Sequence, residues 1–158
     1  MTVRFAHTTV VAAPVELVFD LSLDIDSHLA SMSDSNERAV AGVTSGLVGL
    51  GEQVTWRATH YRIPFTMTSR VTELDRPHRF VDQQVKGPFR TFHHEHLYEY
   101  VAGETVMIDR IRFDAPVGII GRVVERLMLA RYLQRLIEHR GEYLKAEAER
   151  RSYMGGSH

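Results

Sequence analysis

VGIIGRVVERLMLARYLQRLIEHRGEYLKAEAER, residues 117–150, repeats apolar side chains every three or four positions. Ile120, Val124, Leu127, Leu129, Leu133, Leu136 and Leu144 form the series, and Glu125, Arg126, Arg135, Glu138, Arg140, Glu142 and Lys145 fill the gaps. That spacing predicts a long helix with one apolar face. Pro116 and Gly118 mark its start, since proline is tolerated in a first helical turn. At 1.5 Å per residue the segment would run roughly 50 Å. The pattern slips between Met128 and Arg131, which leaves a kink or a break open there. One apolar stripe cannot bury itself, so the rest of the chain must supply a partner surface.

That surface reads as a sheet. Val3–Ala12 is β-branched and ends at Ala13-Pro14. Pro14 opens a short helix, Val15–Leu21, and Asp24–Met32 reads as a second, capped by Asp24 or Asp26. Arg38–Thr44 is a weak strand, and the glycines of 46–51 make a turn or loop, expected as a mobile hairpin at a pocket mouth. From Glu52 the period becomes two: Val54, Trp56, Ala58 and His60 oppose Thr55, Arg57, Thr59 and Tyr61. Pro64 interrupts. Phe65, Met67, Ser69 and Val71 then oppose Thr66, Thr68, Arg70 and Thr72. Asp75-Arg76-Pro77 is a turn, and Phe80–Val85, Phe89–Val101 and Thr105–Phe113 complete a meander. The expected fold is α+β: a seven-stranded antiparallel sheet wrapped around the C-terminal helix, with two short helices after the first strand. A curved sheet over a helix tends to leave a space suited to a ligand. One domain is expected over residues 1–151, with 152–158 as a disordered tail.

Composition narrows the function classes. The chain has 158 residues, a formal net charge of −1 and no cysteine. Disulfide scaffolds, thiolate metal sites and cysteine nucleophiles are excluded, and no basic field points to nucleic acid. No apolar run is long enough to span a bilayer, and the N-terminus lacks the pattern of a signal peptide. A cytoplasmic location is the default expectation. No lysine follows the glycines of 46–51, so they are not a phosphate loop, and no serine sits in a nucleophile elbow.

The order of elements resembles the helix-grip fold of the START and birch-pollen-allergen superfamily, SRPBCC, which includes polyketide cyclase/dehydratase-like proteins. Ala13-Pro14-Val15-Glu16-Leu17-Val18-Phe19 is similar to its opening motif, and Asp75-Arg76-Pro77-His78-Arg79-Phe80 to a connection between its strands. Gly87-Pro88-Phe89 followed by His94-Glu95-His96 resembles a bacterial subgroup, some members of which are joined to epimerase-like domains and carry names such as cell-division inhibitor. The resemblance implies the fold. It leaves function open, since this fold hosts carriers, receptors, cyclases and chaperone cofactors.

The chemistry concentrates on 90–100. Alternation puts Phe92, His94, His96, Tyr98 and Tyr100 on the inner face and His93, Glu95, Leu97 and Glu99 on the outer. Met107, Asp109, Ile111 and Phe113 face inward on the last strand, and Phe80, Asp82 and Gln84 are chosen over Val81, Gln83 and Val85. Ionisable groups are costly to bury unless paired or used. A carboxylate on an imidazole fixes its tautomer, so His94, His96 and Asp109 are the candidate catalytic or polar-recognition group. Trp56, His60, Met67, Asp82, Phe92, Tyr98, Ile111 and Phe113 are the expected ligand contacts. Arg131, Arg135 and Arg140 read as a solvated helix face, although an arginine over the cavity could hold a carboxylate. No metal and no cofactor is expected: His-x-His offers two imidazoles, but only His60 or Asp109 is judged able to supply a third ligand. The favoured function is binding of a small, partly hydrophobic molecule. The alternatives are a cofactor-free cyclase/dehydratase- or hydrolase-like enzyme with a His–Asp acid/base pair, and a protein-interaction domain with an inert core. The partner is a small molecule, with no nucleic acid and no membrane span; a homodimer is left open.

Overall fold

A computed structural model describes residues 2–115 and 123–156, with side chains of the second stretch from 127 onward. Strand β1 (Thr2–Val11) leads into helices α1 (Val15–Leu23) and α2 (Ile25–Ser31) and a short 3-10 turn, Ser33–Ser35. Six strands follow: β2 (Arg38–Gly42), β3 (Gln53–His60), β4 (Ile63–Asp75), β5 (Arg79–Lys86), β6 (Thr91–Val101) and β7 (Glu104–Asp114). Helix α3 (Val123–Gly155) closes the chain. The strands form one seven-stranded antiparallel sheet in the order β1-β7-β6-β5-β4-β3-β2. Register shifts at Ala39/Ala41 and at Thr68/Ser69 and Val71/Glu73 bend the sheet, as extra residues on one strand do. The expected helix-grip architecture is the one observed.

Several details differ from expectation. Pro64 does not break the sheet: it lies inside β4, opposite Thr59. Phe89 belongs to the turn before β6, where Gln84 Nε2 donates to its carbonyl at 2.8 Å. Asp24 is the cap of α2, accepting from Ser27 N at 3.0 Å. The loop at 46–51 is tied down: Ile25 N donates to Gly46 O at 2.9 Å and Val48 N to Leu23 O at 3.1 Å. Helix α3 runs without interruption past Met128–Arg131 and through Ser152–Gly155. The tail expected from 152 therefore starts inside the helix, where Glu147 still pairs with Arg150 and Arg151. The expected helix start at Pro116–Gly118, and Ile120 and Val124 as stripe positions, lie outside what is described.

The buried face of α3 is Ala130, Ile137, Arg140, Gly141, Leu144 and Ala148. Leu127, expected on it, is exposed, and Leu136 is only half-buried. Gly141 lets the helix lie close on β1, because a Cβ there would stand 2.6 Å from Thr9 Oγ1. Two apolar clusters flank the interior. One gathers Val11, Val18, Phe19, Phe80, Tyr98 and Leu144; the other gathers Phe89, Ile111, Phe113, Ala130 and Ile137. At the β6 end Tyr100 is exposed, although alternation gave it the inner face.

Candidate functional site

A cavity of about 170 Å³ lies between sheet and helix, walled by members of both clusters. An apolar cavity of about 150 Å³ is known to hold benzene, so the space is comparable in volume to one that takes a small ring compound. Trp56, His60, Met67, Asp82, Phe92, His94, His96 and Ile111 line it. Tyr98, Phe113 and Asp109 do not. Tyr98 packs on Phe19 and Phe80, and Phe113 on Phe89 and Phe92, so both are core. Asp109 is fully buried behind the imidazoles.

The polar end of the cavity is built by register. His94 stands opposite Asp82 and Ile111, and His96 opposite Phe80 and Asp109. His94 Nε2 lies 2.8 Å from Asp109 Oδ1, and His96 Nε2 2.7 Å from Asp82 Oδ2. His96 Nδ1 is 3.0 Å from Asp109 Oδ1 but off the hydrogen-bond direction, and has no hydrogen-bond partner among the described residues. The His96 ring is sandwiched between His94, at 3.6 Å between centroids, and Phe80, at 3.9 Å.

Arg140 corrects an expectation. It is 4 % exposed, not solvated. Its Nη1 lies 3.4 Å from Asp109 Oδ1, and its Nη2 donates to Ser22 O at 3.2 Å. The signal was in the spacing: Ile137, Arg140 and Leu144 fall three and four apart, on the buried stripe. Burial alone would raise the Asp109 pKa; the hydrogen bond from His94, the close His96 imidazole and the Arg140 charge outweigh it, and the carboxyl is held well below the usual range. Asp82 is likewise lowered, its burial outweighed by the bond to His96, with the Arg140 charge acting in the same direction. His94 is pushed down to about 4, first by burial and then by His96, against the pull of Asp109. At neutral pH Asp109 is therefore an anion beside a cationic Arg140, and His94 is neutral.

A second polar group, missed in the sequence, lines another part of the wall. His28 Nε2 lies 2.7 Å from Glu37 Oε1, and the His28 ring packs on Trp56 at 4.3 Å between centroids. Trp56 Nε1 donates to Ser69 Oγ at 3.2 Å. His60 hydrogen-bonds the Tyr132 hydroxyl from α3, and its pKa is lowered by burial, partly offset by Glu37. No periodicity could pair His28 with Glu37, since a turn and a chain reversal separate them.

The sequence matches the family described as polyketide cyclase/dehydrase and lipid transport over residues 2–149. The chain belongs to that family. Among solved structures it is similar to the ZhuI aromatase/cyclase from Streptomyces sp. R1128, at 20 % identity and a TM-score of 0.79, covering 99 % of each chain. It is similar to TTHA0849 from Thermus thermophilus, at 18 % identity and 0.65, covering 99 % of this chain and 100 % of that one. The major latex-like protein 151 of Panax ginseng matches at 10 % identity and 0.67, over 93 % and 97 %. These likenesses establish the fold. No curated protein matches the sequence. No described helix is long and apolar enough to cross a membrane.

Proposed function

We propose that this polyketide cyclase/dehydrase-family chain binds a small, partly hydrophobic molecule whose oxygen-bearing end meets His94, His96, Asp82 and Arg140. The carrying observation is one cavity with an aromatic and aliphatic wall and a buried, charge-paired polar end. Such sites bind by apolar contact and orient by a few polar groups. Asp109 acts through the imidazoles and is a positioning residue.

Trp56 lines the cavity and is the only tryptophan, so its fluorescence reports occupancy. One- and two-ring phenols and aromatic ketones should quench it saturably. His94→Gln should weaken phenol binding at least about tenfold, a lost hydrogen bond at a buried group, and leave toluene nearly unaffected. Absence of saturable quenching by every compound overturns the reading.

The family description and the His–Asp pairs support a second reading, a cyclase- or dehydratase-type enzyme with His94 or His96 as acid/base and Asp109 as orienter. His94 is the weaker choice, since a base with a pKa of about 4 has little pull at neutral pH. This reading expects His96→Ala to abolish turnover while ligand still binds. The interaction-domain reading draws on Tyr61, Ile63, Leu127 and Met128, which are exposed.

A further inference from the structure

His96 lies between two carboxylates. Its Nε2 is 2.7 Å from Asp82 Oδ2, and its Nδ1 is 3.0 Å from Asp109 Oδ1. An imidazolium would donate to both anions; with a single N–H the ring donates to one and turns a lone pair on the other. In a buried site that conflict is costly. Asp109 Oδ2 and His96 Nδ1 both lack a hydrogen-bond partner among the described residues. A cation between Asp82 and His96 removes the conflict. It takes the Nε2 lone pair, the ring proton resides on Nδ1, and Nδ1–H faces Asp109.

His94 completes the set. Its Nε2 also meets Asp109 Oδ1, which fixes the N–H there and leaves the lone pair on Nδ1. The two rings are stacked, 3.6 Å between centroids and 28° between planes, so one ring must tilt on its side-chain torsions for both in-plane lone pairs to meet at one centre. One ligand atom from each of Asp82, His94 and His96 lies within 4.8 Å of the others. All three residues line the cavity, so the remaining coordination positions face it. Metal-bound histidines regularly donate their second N–H to a carboxylate; Asp109 is placed to serve both rings, with Arg140 against the same oxygen.

We propose that Asp82, His94 and His96 form a binding site for a divalent first-row transition cation, with Asp109 as the shared carboxylate that orients both imidazoles. Two imidazoles and one carboxylate suit zinc or iron(II); magnesium and calcium prefer all-oxygen shells. The inference does not rest on the organic-ligand reading, because Trp56 quenching can be followed in metal-free protein. It does compete with acid/base use, since a nitrogen bound to a cation cannot carry a proton.

The test is calorimetric titration of chelator-treated protein with Zn²⁺, repeated with Co²⁺ by visible absorption. One equivalent should bind. Asp82→Asn, His94→Gln and His96→Gln should each weaken binding by at least about tenfold, and Asp109→Asn by about ten- to a hundredfold. His93→Gln, on the outer sheet face, should change nothing. Thermal melting checks that each variant folds. If one does not, imidazole NMR of the unmodified chain decides: the His94 and His96 nitrogen resonances should move on adding Zn²⁺ and those of His93 should not. No saturable binding, binding retained in Asp82→Asn and His96→Gln, loss in His93→Gln, or a doubly protonated His96 indifferent to Zn²⁺ would each overturn the site.

Discussion

Helix α3 carries two arginine–carboxylate groupings about 15 Å apart along its axis, and they are physically unlike. Arg140 faces Asp109 at 3.4 Å, with side chains 4 % and 0 % exposed. Arg150 and Arg151 each meet Glu147 at 2.7 Å, and the arginine side chains are 56 % and 48 % exposed. The shorter pairs are the ones expected to matter less. In water an ion pair is screened and offset by side-chain entropy. Inside the protein the pair hardly exceeds its own desolvation cost, yet losing one member strands the other. Distance therefore does not rank these contacts; what surrounds them does.

The largest effect should come from Arg140→Met. It leaves Asp109 buried without its cation, and such losses cost about 3–5 kcal/mol. Urea unfolding measures it. A loss under about 1 kcal/mol would break the contrast between the two groupings, because Asp109 would then have found solvent or a proton. Adding Asp109→Leu to Arg140→Met should recover most of the stability, as apolar replacement of buried ion pairs often does, while the cavity loses its polar anchor.

Backbone approach differs between the same two regions, and this gives the second effect. Ala should gain up to about 1 kcal/mol over Gly in a helix interior. At Gly141 the new methyl meets Thr9 Oγ1 at 2.6 Å and His7 at 3.5 Å, and overpacking costs about 1–3 kcal/mol. Gly141→Ala should be a net loss of about 1 kcal/mol by thermal melting. At Gly155 nothing lies within 4 Å, so Gly155→Ala should be neutral or slightly stabilising. A stabilised Gly141→Ala would mean that α3 is free to lift from β1.

These two regions also show how far the sequence could be read. Period-two runs such as Val54–His60 and Phe92–Tyr98 specify sheet faces, because a one-residue slip would expose the whole apolar set. The inward faces of His94, His96 and Asp109 are legible for that reason; that of Asp82 follows only from the burial Phe80 needs, since Val81 beside it is fully buried as well. Parity gives the face of a side chain, though not the depth behind it. Tyr98 and Phe113 share the face of His94 and yet meet packed rings, while Tyr100 runs out to solvent. Arg140 reads as surface by residue type and is buried by position. Its spacing from Ile137 and Leu144 places it on the buried stripe. The His28–Glu37 pair is a product of tertiary folding and leaves no periodic trace.

The smallest effect sharpens the contrast from its exposed side. Hydrogen bonds from Arg150 and Arg151 hold the Glu147 carboxyl at about 2. A carboxyl whose pKa is depressed on folding contributes stability above its unfolded pKa, near 4.5, and loses that contribution as pH falls towards 2. The full shift overstates the stability, because both arginines lie largely in solvent and exposed pairs contribute only about 0.2–1 kcal/mol. Glu147→Gln should therefore cost no more than about 0.5 kcal/mol at pH 7 and low salt. The cost should shrink in 1 M salt, where the screening length falls to about 3 Å, and vanish near pH 2. Thermal melts of the parent and the variant across that grid measure it. A cost that survived both high salt and acid would mean that Glu147 is held by packing, and that the exposed end of α3 is organised more like the Arg140 end than its solvent exposure suggests.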